Sequence, residues 1–205
     1  MTIRKPVRTR RVVPNRCLGA IIDVQEFFLA QVEARLRPQL EKNIQSFARL
    51  LVHFQVPILV TLERPVEHKG TLPAPIRKHL RDLSETFEKD FFDLTKEKRI
   101  RDFLRRSGRK QVVLAGCETD VCVLQSCLGL LDLGYELYVV EDLLFSSSDN
   151  VEAAIARMQA EGASFLTYKS LYYELVAAVE SARHKEAILA KLGPLPADLP
   201  DTAAE

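Results

Sequence analysis

The chain contains 205 residues, a length that fits one domain of ordinary size with a full hydrophobic core. Hydrophobic residues make up 47% of the chain and charged residues 28%, and the net charge of +1 excludes a general attraction to nucleic acid or acidic lipid. No apolar stretch is long enough for a signal sequence or a membrane span. The four cysteines include no CxxC pair, which argues against a zinc or disulfide framework and favours a reducing compartment, the cytoplasm.

Basic residues crowd the amino-terminal positions of the chain. We interpret residues 1–16 as a solvated basic tail, with a nucleic-acid-binding arm or a transit peptide as alternatives. Residues 193–205 contain three prolines and are predicted to form a flexible tail. The predicted folded domain therefore covers residues 17–192.

Short apolar runs alternate with longer helical patterns along the chain. The predicted strands cover residues 18–22, 57–62, 84–89, 111–116, 136–141 and 163–167. Residues 63–80 contain three prolines and are predicted to form a long loop of the kind that often carries function. The predicted helices include one from Thr95, as its N-cap, to Ser107, one that carries Cys122, one capped by Ser147 or Ser148, and a last one opening at Ser170.

This alternation predicts a Rossmann-like α/β fold, a three-layer α/β/α arrangement with a six-stranded parallel sheet between helices. Ligands of such sheets bind at the carboxyl ends of the strands, near the reversal of strand order. Asp23, Lys89 and the turn before Cys122 all lie at such ends, which predicts a site where the three groups meet. The chain has no GxGxxG after the first strand and no GxxxxGK[ST], so no dinucleotide or P-loop site is predicted.

Cys122 is the candidate nucleophile. An apolar strand precedes it and a helical pattern follows, so the thiol is predicted at a strand-to-helix turn near the amino end of a helix. Helix N–H groups stabilise an anion there and Lys89 adds a positive charge, so we expect the pKa of Cys122 to be lowered. Each of the three residues has an alternative interpretation. Cys122 could pack in the core, Asp23 could only form a turn, and Lys89 could be a solvated surface residue.

Three motifs carry a resemblance to a known family. The segment Asp23-Val24-Gln25-Glu26-Phe27-Phe28 matches DxQxxF, Lys89-Asp90-Phe91-Phe92 is a lysine followed by aromatic residues, and Gly116 to Val123 matches GxxTxxCV. In this order they resemble the isochorismatase-like cysteine hydrolase superfamily, which includes isochorismatases, nicotinamidases and N-carbamoylsarcosine amidases. The resemblance covers roughly residues 16–182. It implies a six-stranded parallel sheet and a homo-oligomer, either a dimer or a tetramer.

The resemblance also implies a role for individual residues. Asp23 would be the general base, Lys89 would stabilise the thiolate and Cys122 would attack the substrate. A cis peptide bond would join Cys117 to Glu118. The backbone N–H groups of Glu118 and Cys122 would form the oxyanion hole.

The chain departs from nicotinamidases after the second strand. Those enzymes have a DxH pair there and a further histidine as metal ligands, whereas this chain has Thr61-Leu62-Glu63-Arg64-Pro65. His68 is a single histidine in the following loop, and a zinc-type site needs three or more ligands. We therefore predict a site without a metal or another cofactor.

Four residues are candidates for substrate binding. Phe28 and Phe92 could line a pocket, although both could also be core residues. Arg64 could bind a substrate carboxylate or amide. Thr119 lies near the candidate nucleophile in the same turn. We predict hydrolysis of a non-peptide C–N bond, in an amide or ureido group, of a small molecule, with neither nucleic acid nor membrane as a partner. The alternatives are isochorismate-type vinyl-ether hydrolysis and a binding or scaffold protein without turnover.

Overall fold

The computed structural model describes residues 11–177 and 191–192. Its centre is a six-stranded sheet in which all strand pairs are parallel and the order is β3-β2-β1-β4-β5-β6. The strands are β1 (Cys17–Ile22), β2 (Ile58–Glu63), β3 (Ser84–Lys89), β4 (Gln111–Gly116), β5 (Glu136–Leu144) and β6 (Ser164–Leu166). The predicted fold class is confirmed, and β3 and β4 have the predicted bounds.

Helices connect the strands and cover both faces of the sheet. They are α1 (Glu26–Leu29), α2 (Arg37–His53), α3 (Val66–Lys69), α4 (Ala74–Arg77), α5 (Lys98–Ser107), α6 (Leu124–Asp132), α7 (Glu152–Ala160) and α8 (Tyr168–Val176). Short 3-10 turns occur at Pro14–Arg16, Arg81–Leu83 and Leu94–Lys96, and one π-helical turn occurs at Thr119–Val123. In the part of the chain that is described, no helix combines the length and apolar character needed to cross a bilayer.

The hydrophobic core has two halves, one on each face of the sheet. Buried residues of α2, α4 and α8 pack on one face, among them Ile44, Ile76 and Leu171. Buried residues of α5, α6 and α7 pack on the other, among them Leu104, Leu130 and Met158. Every residue of β1 and β4 is buried, because these central strands are covered on both faces. Each fully buried Leu or Ile contributes roughly 1.5–3 kcal/mol to folding.

Three predicted helix starts are wrong. The side chain of Asp93, not Thr95, is the cap at the 3-10 turn, accepting from the backbone N–H of Thr95 at 2.8 Å, and α5 begins only at Lys98. A carboxylate accepts a backbone N–H more strongly than a hydroxyl does, so the aspartate two residues earlier takes this role.

The starts of α7 and α8 also differ from the prediction. Val151 precedes α7, and the Ser147 hydroxyl binds the Glu118 carboxylate instead of capping a helix. Helix α8 begins at Tyr168, and the Thr167 hydroxyl accepts from the backbone N–H of Ser170 at 3.1 Å. Both differences come from side-chain partners that are distant or ambiguous in sequence.

The domain includes residues that were assigned to the amino-terminal tail. Val12 is buried, and its N–H donates to the Glu174 carboxylate at 3.0 Å. The N–H of Val13 donates to the Gln111 side chain at 2.8 Å. Gln111 Nε2 also donates to the carbonyl of Arg11 at 2.8 Å, so the described part of the predicted tail contacts the domain from its first residue, Arg11. Residues 1–10 and the predicted tail at 193–205 lie outside the described residues.

The strand register brings four carboxyl ends to one level. Ile22 pairs with Thr61 on one side and with Gly116 on the other, while Glu63 pairs with Lys89. The chain reverses its strand order between β1 and β4, and this is where a parallel sheet of this type opens a crevice. Gly116 has φ +131°, and a Cβ atom there would lie 2.0 Å from the carbonyl oxygen of Ile22. Only glycine therefore allows the ends of β1 and β4 to approach this closely.

Candidate active site

Asp23 is the first residue after β1 and is fully buried. Its φ of 49° lies in the left-handed region, which is uncommon for a residue other than glycine. Thr61, on the neighbouring strand β2, holds it from two sides. The Thr61 hydroxyl donates to Oδ1 of Asp23 at 2.8 Å, and the Thr61 carbonyl accepts from the Asp23 N–H at 3.1 Å. These bonds direct the second carboxylate oxygen towards the neighbouring strand ends.

Lys89 extends from the end of β3 across the end of β2 to Asp23. Its side chain is fully buried, and Nζ lies 2.7 Å from Oδ2 of Asp23. The same ammonium group donates to Sγ of Cys122 at 3.4 Å. Three groups from the ends of three strands, Asp23, Lys89 and Cys122, therefore meet as the sequence predicted from their positions.

Cys122 lies in the π-helical turn between β4 and α6, and it is only 1% exposed. The turn is tied back to its start, because the N–H groups of Val121 and Val123 both donate to the carbonyl of Glu118. The Cys122 thiol donates to Oε2 of Glu63 at 2.9 Å. A π-helical turn inside a helix is rare and is frequent at functional sites.

Glu63 is the member of the cluster that the sequence analysis did not identify. It is the last residue of β2, so it stands between the ends of β1 and β3. Besides the thiol, it contacts Nζ of Lys89 at 3.8 Å and forms a short ion pair with Lys69 of α3. One feature of the sequence could have identified Glu63: it lies one residue beyond the predicted end of the second strand, at the edge of the sheet where the other site residues lie.

Gln25, the glutamine of the DxQxxF motif, positions the end of β2. Its side-chain oxygen accepts from the N–H of Glu63 at 2.7 Å, and its Nε2 donates to the carbonyls of Glu63 at 3.1 Å and Gly70 at 2.8 Å. Gln25 is itself buried. The motif glutamine thus joins the segment after β1 to β2 and to the loop after α3.

The two carboxylates of the cluster have opposite pKa shifts. Burial raises the pKa of Asp23, and the attraction of Lys89 only partly offsets this effect. Burial alone would also raise the pKa of Glu63, but the bond from Cys122 and the ammonium groups of Lys69 and Lys89 outweigh it and lower that pKa. Asp23 is therefore the carboxylate better suited to accept a proton, while Glu63 stays ionised.

Lys89 keeps its charge despite burial. Burial lowers the pKa of Lys89, but the attraction of Asp23, together with smaller contributions from Cys122 and Glu63, outweighs this effect, so its pKa is raised. The ammonium group is therefore the fixed positive charge of the cluster.

The expected lowering of the Cys122 pKa is wrong for this arrangement. Burial raises the pKa of the thiol, and so does the negative charge of Asp23. Lys89 acts in the opposite direction, but the hydrogen bond to Glu63 favours the protonated thiol and adds to the increase. The sequence prediction counted the helix end and the lysine, but it did not include desolvation or a second carboxylate.

The cluster contains groups that could hold a metal ion, but an ammonium group lies among them. One ligand atom each from Asp23, Glu63 and Cys122 falls within 4.8 Å of the other two. Nζ of Lys89 lies 2.7, 3.8 and 3.4 Å from atoms of these three residues. The charged lysine therefore already supplies the positive charge that a cation would bring. His68 lies in α3 and is exposed.

The turn before Cys122 contains Cys117, Glu118 and Thr119. The peptide bond between Cys117 and Glu118 is cis. The Glu118 carboxylate accepts from the hydroxyl and the N–H of Ser147. The Thr119 hydroxyl donates to the carbonyl of Phe145 at 3.1 Å, so this buried side chain is bound to the backbone of the segment after β5.

Comparison with known proteins decides the family. The model of the isochorismatase domain matches residues 20–170. The chain belongs to the isochorismatase-domain family. A secreted isochorismatase effector, Isc1, from Phytophthora sojae (strain P6497) is 34% identical over 82% of this chain and 80% of its own length. The predicted relationship is confirmed.

Two solved structures extend the comparison of the isochorismatase-domain fold. The MAR1 ribonuclease from Caenorhabditis elegans is 25% identical, with a TM-score of 0.80 over 96% of this chain and 97% of that one. The YcaC gene product of Escherichia coli, described as an octameric hydrolase of unknown specificity, is 22% identical, with a TM-score of 0.79 over 89% and 88% of the two chains. At that identity the second comparison supports the fold alone.

The predicted substrate-binding residues of this isochorismatase-domain protein lie in different places. Phe28 is buried, with the Lys69 ammonium 5.6 Å from its ring centre. Arg64 is exposed and forms ion pairs with Glu88 at 3.0 Å and Asp90 at 2.8 Å. Its guanidinium is therefore occupied by the protein's own carboxylates.

Phe92 and Thr119 also lie in different parts of the structure. Phe92 is about half exposed and lines a surface cleft of about 450 Å³ beside α6, together with Phe91 and Leu128. Neither Asp23, Lys89 nor Cys122 lines this cleft. Thr119 is buried in the turn, three residues before Cys122.

Proposed function

We propose that this isochorismatase-domain protein is a cysteine hydrolase that cleaves a non-peptide C–N bond, in an amide or ureido group, of a small molecule. Family membership supports a hydrolase. The observation that carries the finer proposal is the contact of the Cys122 thiol with the Lys89 ammonium at 3.4 Å, with Asp23 2.7 Å from the same ammonium. A nucleophile, a charge-stabilising group and a base are therefore in contact.

The reaction begins when the thiol hydrogen turns from Glu63 to Asp23 and is transferred to the Asp23 carboxylate. This transfer moves one proton within the cluster and leaves the net charge unchanged, and Lys89 contacts both the group that loses the proton and the group that gains it. The buried ammonium therefore offsets the negative charge whether it lies on the carboxylate or on sulfur. The raised pKa of Asp23 makes it a stronger base than an ordinary aspartate.

The thiolate then attacks the carbonyl carbon of the amide. A C–S bond forms, and the negative charge moves to the carbonyl oxygen, which faces the backbone N–H groups of Glu118 and Cys122. The C–N bond breaks as Asp23 returns its proton to the leaving nitrogen, which gives a thioester and an amine. Asp23 next takes a proton from water, and the hydroxide attacks the thioester. The C–S bond breaks to release the acid and the thiolate, and the thiolate takes the proton from Asp23, which restores the starting thiol and carboxylate.

The closed site supports a small substrate. Sulfur is almost fully covered, and the negatively charged Glu63 beside it is partly exposed and would repel a phosphate backbone. A relative of this chain is named a ribonuclease, so RNA belongs in the test as an alternative substrate. The proposed site uses no metal or other cofactor, since the Lys89 ammonium supplies the positive charge.

Assembly and location are part of the proposal. We propose a homo-oligomer, a dimer or tetramer, and the octameric description of the YcaC gene product supports self-association in this fold. We also propose a cytoplasmic location. All four cysteines are unpaired, as expected of a reducing compartment. The relative from Phytophthora sojae is named a secreted effector, so cell fractionation is the test of this location.

The reaction is tested with a panel of candidate substrates: amides, ureido acids, isochorismate and RNA. Turnover of each is measured for the wild-type protein and for two variants. If a thioester forms, Cys122→Ala and Asp23→Asn should both lose turnover by a factor of about 10³ or more. The wild-type protein should show an acyl adduct on Cys122 by intact-mass analysis. Cys127→Ala is the matched control, because Cys127 is a buried cysteine of α6 whose loss should leave turnover unchanged.

The alternatives give different results in the same experiment. Acid-catalysed vinyl-ether hydrolysis needs only the carboxyl group, so Cys122→Ala would stay active with no adduct while Asp23→Asn would fail. A binding or scaffold protein would bind a panel member and turn over none of them. Either result would contradict the proposed amide hydrolysis.

A further inference from the structure

The ionisable groups of the active-site cluster differ in their access to solvent. The side chains of Asp23 and Lys89 are fully buried and Cys122 is nearly so, whereas the Glu63 side chain retains 15% of its exposure. A molecule approaching from solvent therefore meets Glu63 and its ion-pair partner Lys69, whose side chain retains 20% of its exposure, before it meets Asp23 or Lys89. Of Glu63 and Lys69, Glu63 is the one whose side chain bonds to the sulfur.

The two carboxylate oxygens of Glu63 have different partners. Oε1 forms the ion pair with Lys69, whose ammonium also donates to the carbonyl of Arg64 at 3.0 Å. Oε2 accepts from the Cys122 thiol at 2.9 Å and lies 3.8 Å from Lys89. An atom that bonds to sulfur therefore comes close to Oε2, while Lys69 is held at the other oxygen.

We propose that Glu63 is a specificity-determining residue. It selects substrates that carry a neutral or cationic group with N–H donors beside the reacting carbon, and it disfavours substrates with an anionic group there. This inference rests on the proposed attack by Cys122 and narrows its substrate class. Once the thiol proton has left sulfur, Oε2 has lost its donor, and an amide or ureido N–H of the substrate replaces it. A substrate carboxylate at this place would instead bring a like charge to a half-buried carboxylate, where solvent screens repulsion poorly.

The same contact orients the substrate. The nitrogen and the oxygen of an amide lie on opposite sides of the carbonyl carbon. With the N–H groups on Glu63, at the end of β2, the carbonyl oxygen is turned away from that strand, in the direction of the turn that contains Glu118. Glu63 would therefore favour the orientation that the oxyanion hole needs.

The experiment compares two alkylating probes of similar size and different charge. Iodoacetamide carries a neutral primary amide, and iodoacetate carries a carboxylate. The rate of Cys122 alkylation by each probe is measured by peptide mass spectrometry on the full chain. The ratio of the two rates is divided by the same ratio for N-acetylcysteine, which removes the intrinsic difference between the probes. We expect a corrected preference for iodoacetamide of about tenfold or more in the wild type.

Two variants assign this preference to Glu63. Glu63→Gln should reduce the corrected ratio to within about threefold of the free thiol, because the charge is removed and the size is kept. Glu67→Gln is the matched control, an exposed glutamate of α3 whose loss should leave the ratio unchanged. The ratio is used because a change in thiol pKa alters both rates equally.

The outcomes separate this inference from the proposed hydrolysis. Three results would each overturn the role of Glu63. The first is a wild-type ratio equal to that of the free thiol, the second is no reaction of Cys122 with either probe, and the third is an unchanged ratio in Glu63→Gln. The wild-type ratio alone can do so, even if Glu63→Gln does not fold. Since alkylation requires no turnover, each of these results leaves the test with the substrate panel unaffected.

Discussion

The sulfur atom of Cys122 lies 2.9 Å from Oε2 of Glu63 and donates its hydrogen to that carboxylate. This bond stabilises the protonated thiol, whereas the Lys89 ammonium, 3.4 Å from the same sulfur, stabilises the thiolate. The two neighbours therefore act in opposite directions on one nucleophile. Burial and the negative charge of Asp23 raise the pKa of the thiol further, so its activation depends on proton transfer.

The first prediction concerns thiol reactivity. Glu63→Gln removes a charge that raises the pKa of Cys122, so at pH 8 its alkylation by iodoacetamide should become about tenfold faster or more. Lys89→Met removes the stabilising charge and should slow alkylation. The measurement is the labelling rate of Cys122 across a pH series, with Glu67→Gln as the control. An unchanged or slower rate in Glu63→Gln would show that the bond to Glu63 does not control the thiol pKa.

The second prediction concerns the buried ion pair. Lys89→Met leaves Asp23 buried without its cation, which should lower the free energy of unfolding by roughly 3–5 kcal/mol in urea denaturation. The double variant Asp23→Asn, Lys89→Met removes both charges and should recover much of this loss. Lys96→Met, which removes an exposed lysine 3.8 Å from Asp93, should cost about 1 kcal/mol or less. A double variant as unstable as Lys89→Met would contradict the uncompensated-charge explanation.

The third prediction is the acid limb of the pH–rate profile. Asp23 must be ionised to accept the thiol proton, and its pKa is raised, so kcat/KM should fall as the pH drops through a value above that of an ordinary aspartate. Glu63 has a lowered pKa and stays ionised in this range. The acid limb should therefore persist in Glu63→Gln. If that variant loses the limb, Glu63 and not Asp23 is the base.

The fourth prediction concerns metal removal. The Lys89 ammonium lies among the atoms of Asp23, Glu63 and Cys122 that could otherwise bind a cation, so turnover should survive exhaustive chelation. His68→Ala, which removes the exposed histidine of α3, should also remain active. Loss of turnover on chelation, with recovery on adding zinc or manganese, would mean that another ligand set exists.

Much of the fold followed from local patterns. The bounds of β4 agree with the prediction, because an apolar run of that length between turn residues has few alternatives. The bounds of β3 also agree, although Phe87 is the one large apolar residue in it. Caps were less predictable. Asp93 and Thr95 are both able to cap, and only the bond actually formed distinguishes them. The partners of Arg64 were equally hard to predict from the sequence, because Glu88 and Asp90 come close to it only when β2 and β3 lie side by side.

The sequence by itself determined the parallel sheet, the strand-end positions of Asp23 and Lys89, and the place of Cys122 in a turn after β4. These properties depend on apolar periodicity and on neighbours along the chain. Only the tertiary structure decided that Glu63 joins the cluster, because its place depends on β2 lying between β1 and β3. It also decided the direction of the Cys122 pKa shift. Desolvation and Coulomb interactions depend on the groups packed around the sulfur, which belong to the ends of three other strands, β1, β2 and β3, and their net effect raises the pKa.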